Sequence, residues 1–111
     1  ILYYYKMKKA MISQPMAGKT EEEIKVTRDK AIKKLNELGY EFVNTLFTDE
    51  WVAKEKSNDV ANVPLWFLAK SLQKMSECDA VYFCRGWGNT RGCNVEHEAA
   101  DLYGLKLIYE E

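Results

Sequence analysis

At 111 residues, 47% hydrophobic and 30% charged, the chain has room for one folded domain and the make-up of an ordinary globular one. Its 16 basic and 17 acidic residues leave a formal net charge of -1, without the basic excess that binding nucleic acid requires. No apolar run reaches the length of a membrane span, so neither nucleic acid nor membrane is expected as a partner.

Residues 1–12 lack the apolar stretch and small-residue cleavage site of a secretory signal. Met7-Lys8-Lys9 reads as a natural start. Ile1–Lys6 then fits an N-terminal extension, a lengthened first strand or a segment that pairs with another chain. Residues 8–13 read as a strand entering the turn-rich loop Gln14-Pro15-Met16-Ala17-Gly18. Thr20 opens a helix, with Glu23 as its capping-box partner and Glu21–Glu23 complementing the positive helix end. Ile24, Ala31, Leu35 and Leu38 recur at helical spacing, and Gly39 stops the helix. Lys25, Arg28, Lys30, Lys33 and Lys34 are interleaved with acids and read as its solvated face.

Residues 40–44 form a second predicted strand. The polar stretch 45–61, with Trp51, has no clear period and reads as a short helix or a mobile loop. Pro64 suits the first turn of the next helix, whose apolar face is Trp66, Phe67, Leu68, Leu72 and Met75. Asp79–Cys84 is an apolar run of the kind that a sheet covered on both faces requires. Turn formers Gly86, Gly88 and Asn89 follow in the loop 85–91. A helix from Gly92 to Tyr103 is expected to bury Val95, Ala99 and Leu102. Gly104 ends it, and Leu105–Tyr109 is the last strand.

Strands alternating with helices imply parallel pairing through right-handed crossovers. The expected fold is α/β: a flavodoxin-like three-layer sandwich with a four- to five-stranded parallel sheet and helices on both faces, one domain over residues 1–111. In such a sheet the loops after the first and third strands meet at the switch point, where ligands bind.

Both loops carry chemistry. Ser13–Thr20, SQPMAGKT, ends as a phosphate-binding P-loop does. Ser13 stands where such a loop has Gly, Pro15 removes an N–H, and Asp79 lies at the start of its strand rather than the end. What survives is an anion-favouring helix end at Gly18, Lys19 and Thr20, against a plainly capped helix. In the other loop, Trp87 either stacks on a base or sugar or folds back over the sheet edge. Arg85 and Arg91 flank it and can meet phosphate or carboxylate. Glu96 and Glu98 border the predicted apolar stripe on opposite sides, and helical phase does not choose between them. Glu96 lies nearer the helix N-terminus and the loops, where a desolvated carboxylate serves as nucleophile or base; a solvated helix-face glutamate is the plainer reading. His97 reads as a surface or interface residue. Cys78, Cys84 and Cys93 are odd in number with no CxxC spacing, which points to reduced thiols in a cytoplasm, and no metal site or cofactor is expected.

Two segments resemble the nucleoside 2-deoxyribosyltransferase-like superfamily, and within it a small bacterial and phage branch. Met11–Gly18 is similar to the family's small-residue-Gly-Pro loop. Cys78-Asp79-Ala80-Val81, followed by Gly92, Glu96 and Ala100 at four-residue spacing, matches the pattern around the family nucleophile. Gly86-Trp87 with Asn89-Thr90-Arg91-Gly92 looks like the small branch's GW..SRG loop, and the resemblance spans most of residues 8–109.

The resemblance implies a nucleoside or nucleotide pocket with Glu96 as nucleophile at the anomeric carbon. It implies a homo-oligomer, and a substrate site drawn from Ser13, Gln14, Pro15, Met16, Gly18, Trp87, Gly88, Asn89, Thr90, Arg91 and Gly92. Three positions differ from the classical enzymes: Met11 replaces a Tyr, and Ser71 and Thr90 stand where acids are found. The functional expectation is N-glycosidic cleavage or deoxyribosyl transfer, with a non-catalytic nucleotide-binding module as the alternative and a P-loop-like phosphate binder as the outsider.

Overall fold

The computed structural model describes residues 7–46 and 60–111. The expectations for Ile1–Lys6 and for Trp51 lie outside the described residues. In chain order the elements are β1 (Lys9–Ser13), α1 (Glu21–Glu37), β2 (Glu41–Phe42), α2 (Val63–Met75), β3 (Ala80–Phe83), a single 3-10 turn (Trp87–Asn89), α3 (Arg91–Leu102) and β4 (Lys106–Tyr109).

The strands form one four-stranded, all-parallel sheet in the order β2-β1-β3-β4. The chain leaves β1 in one direction to β2 and returns past it to β3, so β1 and β3 are central and define the switch point. Side chains alternate across the sheet. Ala10, Ile12, Ala80, Tyr82 and Cys84 pack with Ala31 and Leu35 of α1 on one face. Met11, Val81 and Phe83 pack with Met75 of α2 and Ala100 of α3 on the other. This is the expected three-layer, flavodoxin-like sandwich.

Local signals act as their chemistry demands. The Thr20 hydroxyl accepts from the Glu23 amide at 3.1 Å, and the Glu23 carboxylate accepts from the Thr20 amide at 3.3 Å, closing the capping box. Asn62 caps α2 by accepting from the Leu65 amide at 3.0 Å, with Pro64 in the first turn. Asp79 accepts from the Lys9 amide at 2.8 Å, at the amino end of the central strands and away from the loops that matter.

Two faces differ from expectation. The buried stripe of α3 is Cys93, Glu96 and Ala100, whereas Val95 is 43% exposed and Leu102 71% exposed. Close approach of α3 to the sheet needs small side chains, so residue size sets the helix phase and the larger apolar groups turn outward. On α1 the buried stripe is Arg28, Ala31 and Leu35. Arg28 is therefore not on the solvated face; its guanidinium lies 5.3 Å from the Phe42 ring and donates to buried side-chain oxygens.

Candidate functional site

At the carboxyl end of the sheet lies an open cleft of about 1040 Å³. Gln14, Pro15, Met16 and Ala17 after β1 form one wall, continued by Thr45 and Leu46 after β2. The first half of α2 contributes Pro64, Leu65, Phe67, Leu68 and Ser71. Asn89 and Thr90 after β3, with Arg91, Gly92, Cys93, Val95 and Glu96 of α3, complete it. A second hollow, of about 340 Å³, lies on the α1 face among Lys30, Lys33, Lys34 and acidic side chains. Its charged groups are those of a wet surface, whereas the larger cleft holds a buried carboxylate, the setting in which a carboxyl group is most perturbed.

The two special loops meet there. Gly86 has φ +90°, a left-handed conformation that favours glycine, and a Cβ built on it would lie 3.8 Å from the Pro15 side chain. The 3-10 turn carries the chain from Gly86 to Thr90, with the Thr90 amide donating to the Trp87 carbonyl at 3.2 Å. Asn94 on α3 holds it, donating to the Gly88 carbonyl at 2.9 Å and the Thr90 carbonyl at 2.7 Å.

Glu96 is the buried carboxylate of this cleft. It is 7% exposed, and the Ser13 hydroxyl donates to its Oε1 at 2.8 Å. Alternation along β1 turns Ser13 toward the α2/α3 face, which is why strand and helix meet at this bond. Burial pushes the carboxyl up to about 7, opposed by the Ser13 and Ser71 hydroxyls and by the charge of Arg28. Both protonation states are therefore populated near neutral pH. Glu98 is exposed, so position in the fold separates the two glutamates that helical phase left undecided. The thiols are poor nucleophiles: burial raises Cys93 and pushes Cys84 up to about 12 and Cys78 to about 11.

Of the residues expected to bind substrate, Gln14, Pro15, Met16, Asn89, Thr90, Arg91 and Gly92 line the cleft with Glu96. Ser13 sits behind the carboxylate as its hydrogen-bond partner. Gly18, with φ +77°, makes the turn that ends in a 3.2 Å bond from the Lys19 amide to the Met16 carbonyl, outside the cleft lining. Thr20 serves as the α1 cap and three glutamates crowd the first turn behind it, an arrangement that repels phosphate.

Trp87 and Gly88 do not line the cleft. Trp87 folds back over the sheet edge, stacked on His97 with centroids 4.1 Å apart and planes 10° apart, and 5.4 Å from Phe83. His97 is thus half-buried rather than a free surface residue, and its Nε2 lies 2.7 Å from the Tyr109 hydroxyl. Sequence reasoning missed Asn94 and Arg28. Asn94, in the first turn and a half of α3, and Arg28, three residues before Ala31 on the apolar stripe, gave no local signal of these roles. Among the described residues, no three His, Cys, Asp or Glu side chains converge as metal ligands would. None of the described helices is long and apolar enough to cross a membrane.

A family model described as "Domain of unknown function (DUF4406)" matches residues 8–109. No match was found among curated proteins.

Proposed function

The chain belongs to the DUF4406 family, and from its site we propose that it processes a nucleoside or nucleotide, breaking the N-glycosidic bond or transferring the deoxyribosyl group through Glu96. The observation that carries this is one carboxylate, buried at the floor of a nucleotide-sized cleft, hydrogen-bonded, and held near neutrality in its ionisation.

The proposed reaction has two steps. The Glu96 carboxylate forms a bond to the anomeric carbon as the carbon–nitrogen bond breaks, and the base leaves with the electron pair and takes up a proton. Water or a second base then attacks the same carbon, and the carboxylate departs as the leaving group. Ser13 and Ser71 favour the ionised carboxylate that starts the cycle. Phe67 and Leu68 offer an apolar wall to a base. The α3 N-terminus has no side-chain cap and no acid in its first turn, with Arg91 beside it, so it favours an anionic group such as a ligand phosphate.

The test is release of free base from a panel of nucleosides and nucleoside 5′-monophosphates. Release by the native chain and its loss in Glu96→Ala support the reading; no turnover across the panel contradicts it. One observation favours a second reading. Among the described residues Glu96 is the only carboxylate lining the cleft, and none of them supplies a second acid there to protonate a leaving base. A nucleotide-binding module that has lost the chemistry predicts ligand-induced thermal stabilisation that Glu96→Ala leaves largely intact.

A further inference from the structure

The two helices that flank the switch point each bury one charged residue in an otherwise small or apolar stripe. On α1 the stripe is Arg28, Ala31, Leu35; on α3 it is Cys93, Glu96, Ala100. The charges are opposite, and the two helices pack on opposite faces of the sheet. A guanidinium is rarely buried without an acid, since removal from water is expensive and neutral oxygens compensate it only in part. Arg28 is nevertheless 7% exposed, and no carboxylate forms an ion pair with it among the described residues.

Its partners are neutral, and two of the three line the cleft. Nη1 donates to Gln14 Oε1 at 3.2 Å. Nη2 donates to Asn44 Oδ1 at 3.4 Å and Thr45 Oγ1 at 3.3 Å. Gln14 is fixed from its other end, where Nε2 donates to the Ile24 carbonyl at 2.8 Å. Thr45 in turn donates to the Ile12 carbonyl at 3.5 Å, at the end of β1. One guanidinium therefore ties the loop after β1 to the segment after β2, and Gln14 and Thr45 both line the cleft.

We infer that Arg28 is a positioning residue of the Glu96 site: it joins two walls of the cleft and supplies, from behind β1, the buried positive charge that opposes the Glu96 carboxylate. The inference rests on the reading of Glu96 as the reacting group. The groups that act on Glu96 are the Ser13 hydroxyl from β1, the Ser71 hydroxyl from α2 and Arg28 from α1; of these only Arg28 carries charge. Burial in turn lowers the pKa of Arg28, opposed by Cys84, just after β3, and by Glu96 of α3. A purely structural arginine would satisfy the loops equally well with no bearing on the carboxylate.

The experiment is an NMR titration of the Glu96 side-chain carbonyl carbon, assigned by its loss in Glu96→Gln, in the native chain, Arg28→Gln and Arg28→Lys. The expected result is an upward shift of the Glu96 midpoint in Arg28→Gln, smaller than the shift from removing the Ser13 hydroxyl, with Arg28→Lys close to the native midpoint. An unchanged midpoint in Arg28→Gln overturns the inference. If Arg28→Gln does not fold, the charge-removing variant Arg28→Met takes its place: an upward shift of the midpoint supports the inference and an unchanged midpoint overturns it. Because the titration needs no turnover, a shifted midpoint in a chain that releases no base would sink the proposed activity and leave the Arg28–Glu96 coupling standing.

Discussion

Glu96 and His97 are neighbours on one helix, yet they serve two unlike regions. Glu96 faces the cleft, buried among hydroxyls with its ionised form disfavoured by burial. His97 faces the outer edge, stacked on Trp87 and bonded to Tyr109, with its ring packed 4.8 Å from that of Phe83. The edge cluster packs aromatic rings against one another. The cleft holds a carboxylate that the fold would tolerate better neutral. One short loop does two jobs: Trp87 holds its outer side, and Asn89 and Thr90 are thereby presented to the cleft.

The comparison breaks most visibly at Glu96. Replacing it with Ala is expected to lower base release by about 10³-fold or more, roughly 4 kcal/mol of transition-state stabilisation, in steady-state assays. Activity of the native chain should rise with pH through about 7, because the proposed reaction requires the ionised carboxylate as nucleophile. A rate that falls over that range would instead make Glu96 a proton donor.

Stability sharpens the contrast with the opposite sign. The folded-state pKa of Glu96 is raised, so the native chain binds the extra proton between pH 4.5 and 7 and loses stability as pH rises through that window. Glu96→Gln removes that loss. It is expected to stabilise the fold by roughly 3 kcal/mol at pH 8 and by little at pH 4, read from urea unfolding at both values. Trp87→Ala is expected to destabilise by about 2 kcal/mol at either pH, since it unstacks His97 without touching the carboxylate. Ser13→Ala removes a hydrogen bond to a charged acceptor and should raise the Glu96 midpoint by about one unit, about 1.5 kcal/mol, seen as a displaced pH–rate profile. Thr20→Ala opens only the α1 capping box, far from both regions, and is expected to cost about 1 kcal/mol in thermal unfolding with an unchanged profile.

The order of elements was legible because its signals are local. Thr20 with Glu23, Pro64 and Gly39 mark helix ends within a few residues, and the four strands follow from short apolar runs between them. The switch point followed from alternation alone. The phase of α3 did not, because hydrophobicity favoured Val95 and Leu102 while the sheet required small residues at Cys93 and Ala100. That rotation moves Glu96 from the border of the stripe to its centre, so the site is more buried than the sequence implied. Arg28 was hidden for a related reason: one cation among Lys25, Lys30, Lys33 and Lys34 looks like surface until β2 supplies Phe42 and the segment after it supplies Asn44 and Thr45. The fold-back of Trp87 depends on His97 and Tyr109, which no local pattern brings to it.

The most direct test of Glu96 as the reacting carboxylate is mass spectrometry of the peptide that contains it, after quenching the chain in the presence of a deoxynucleoside or its 5′-monophosphate. The account predicts a deoxyribosyl ester on Glu96 that disappears in Glu96→Gln and on addition of an acceptor base. Base release without any adduct, undiminished in Glu96→Gln, would contradict it.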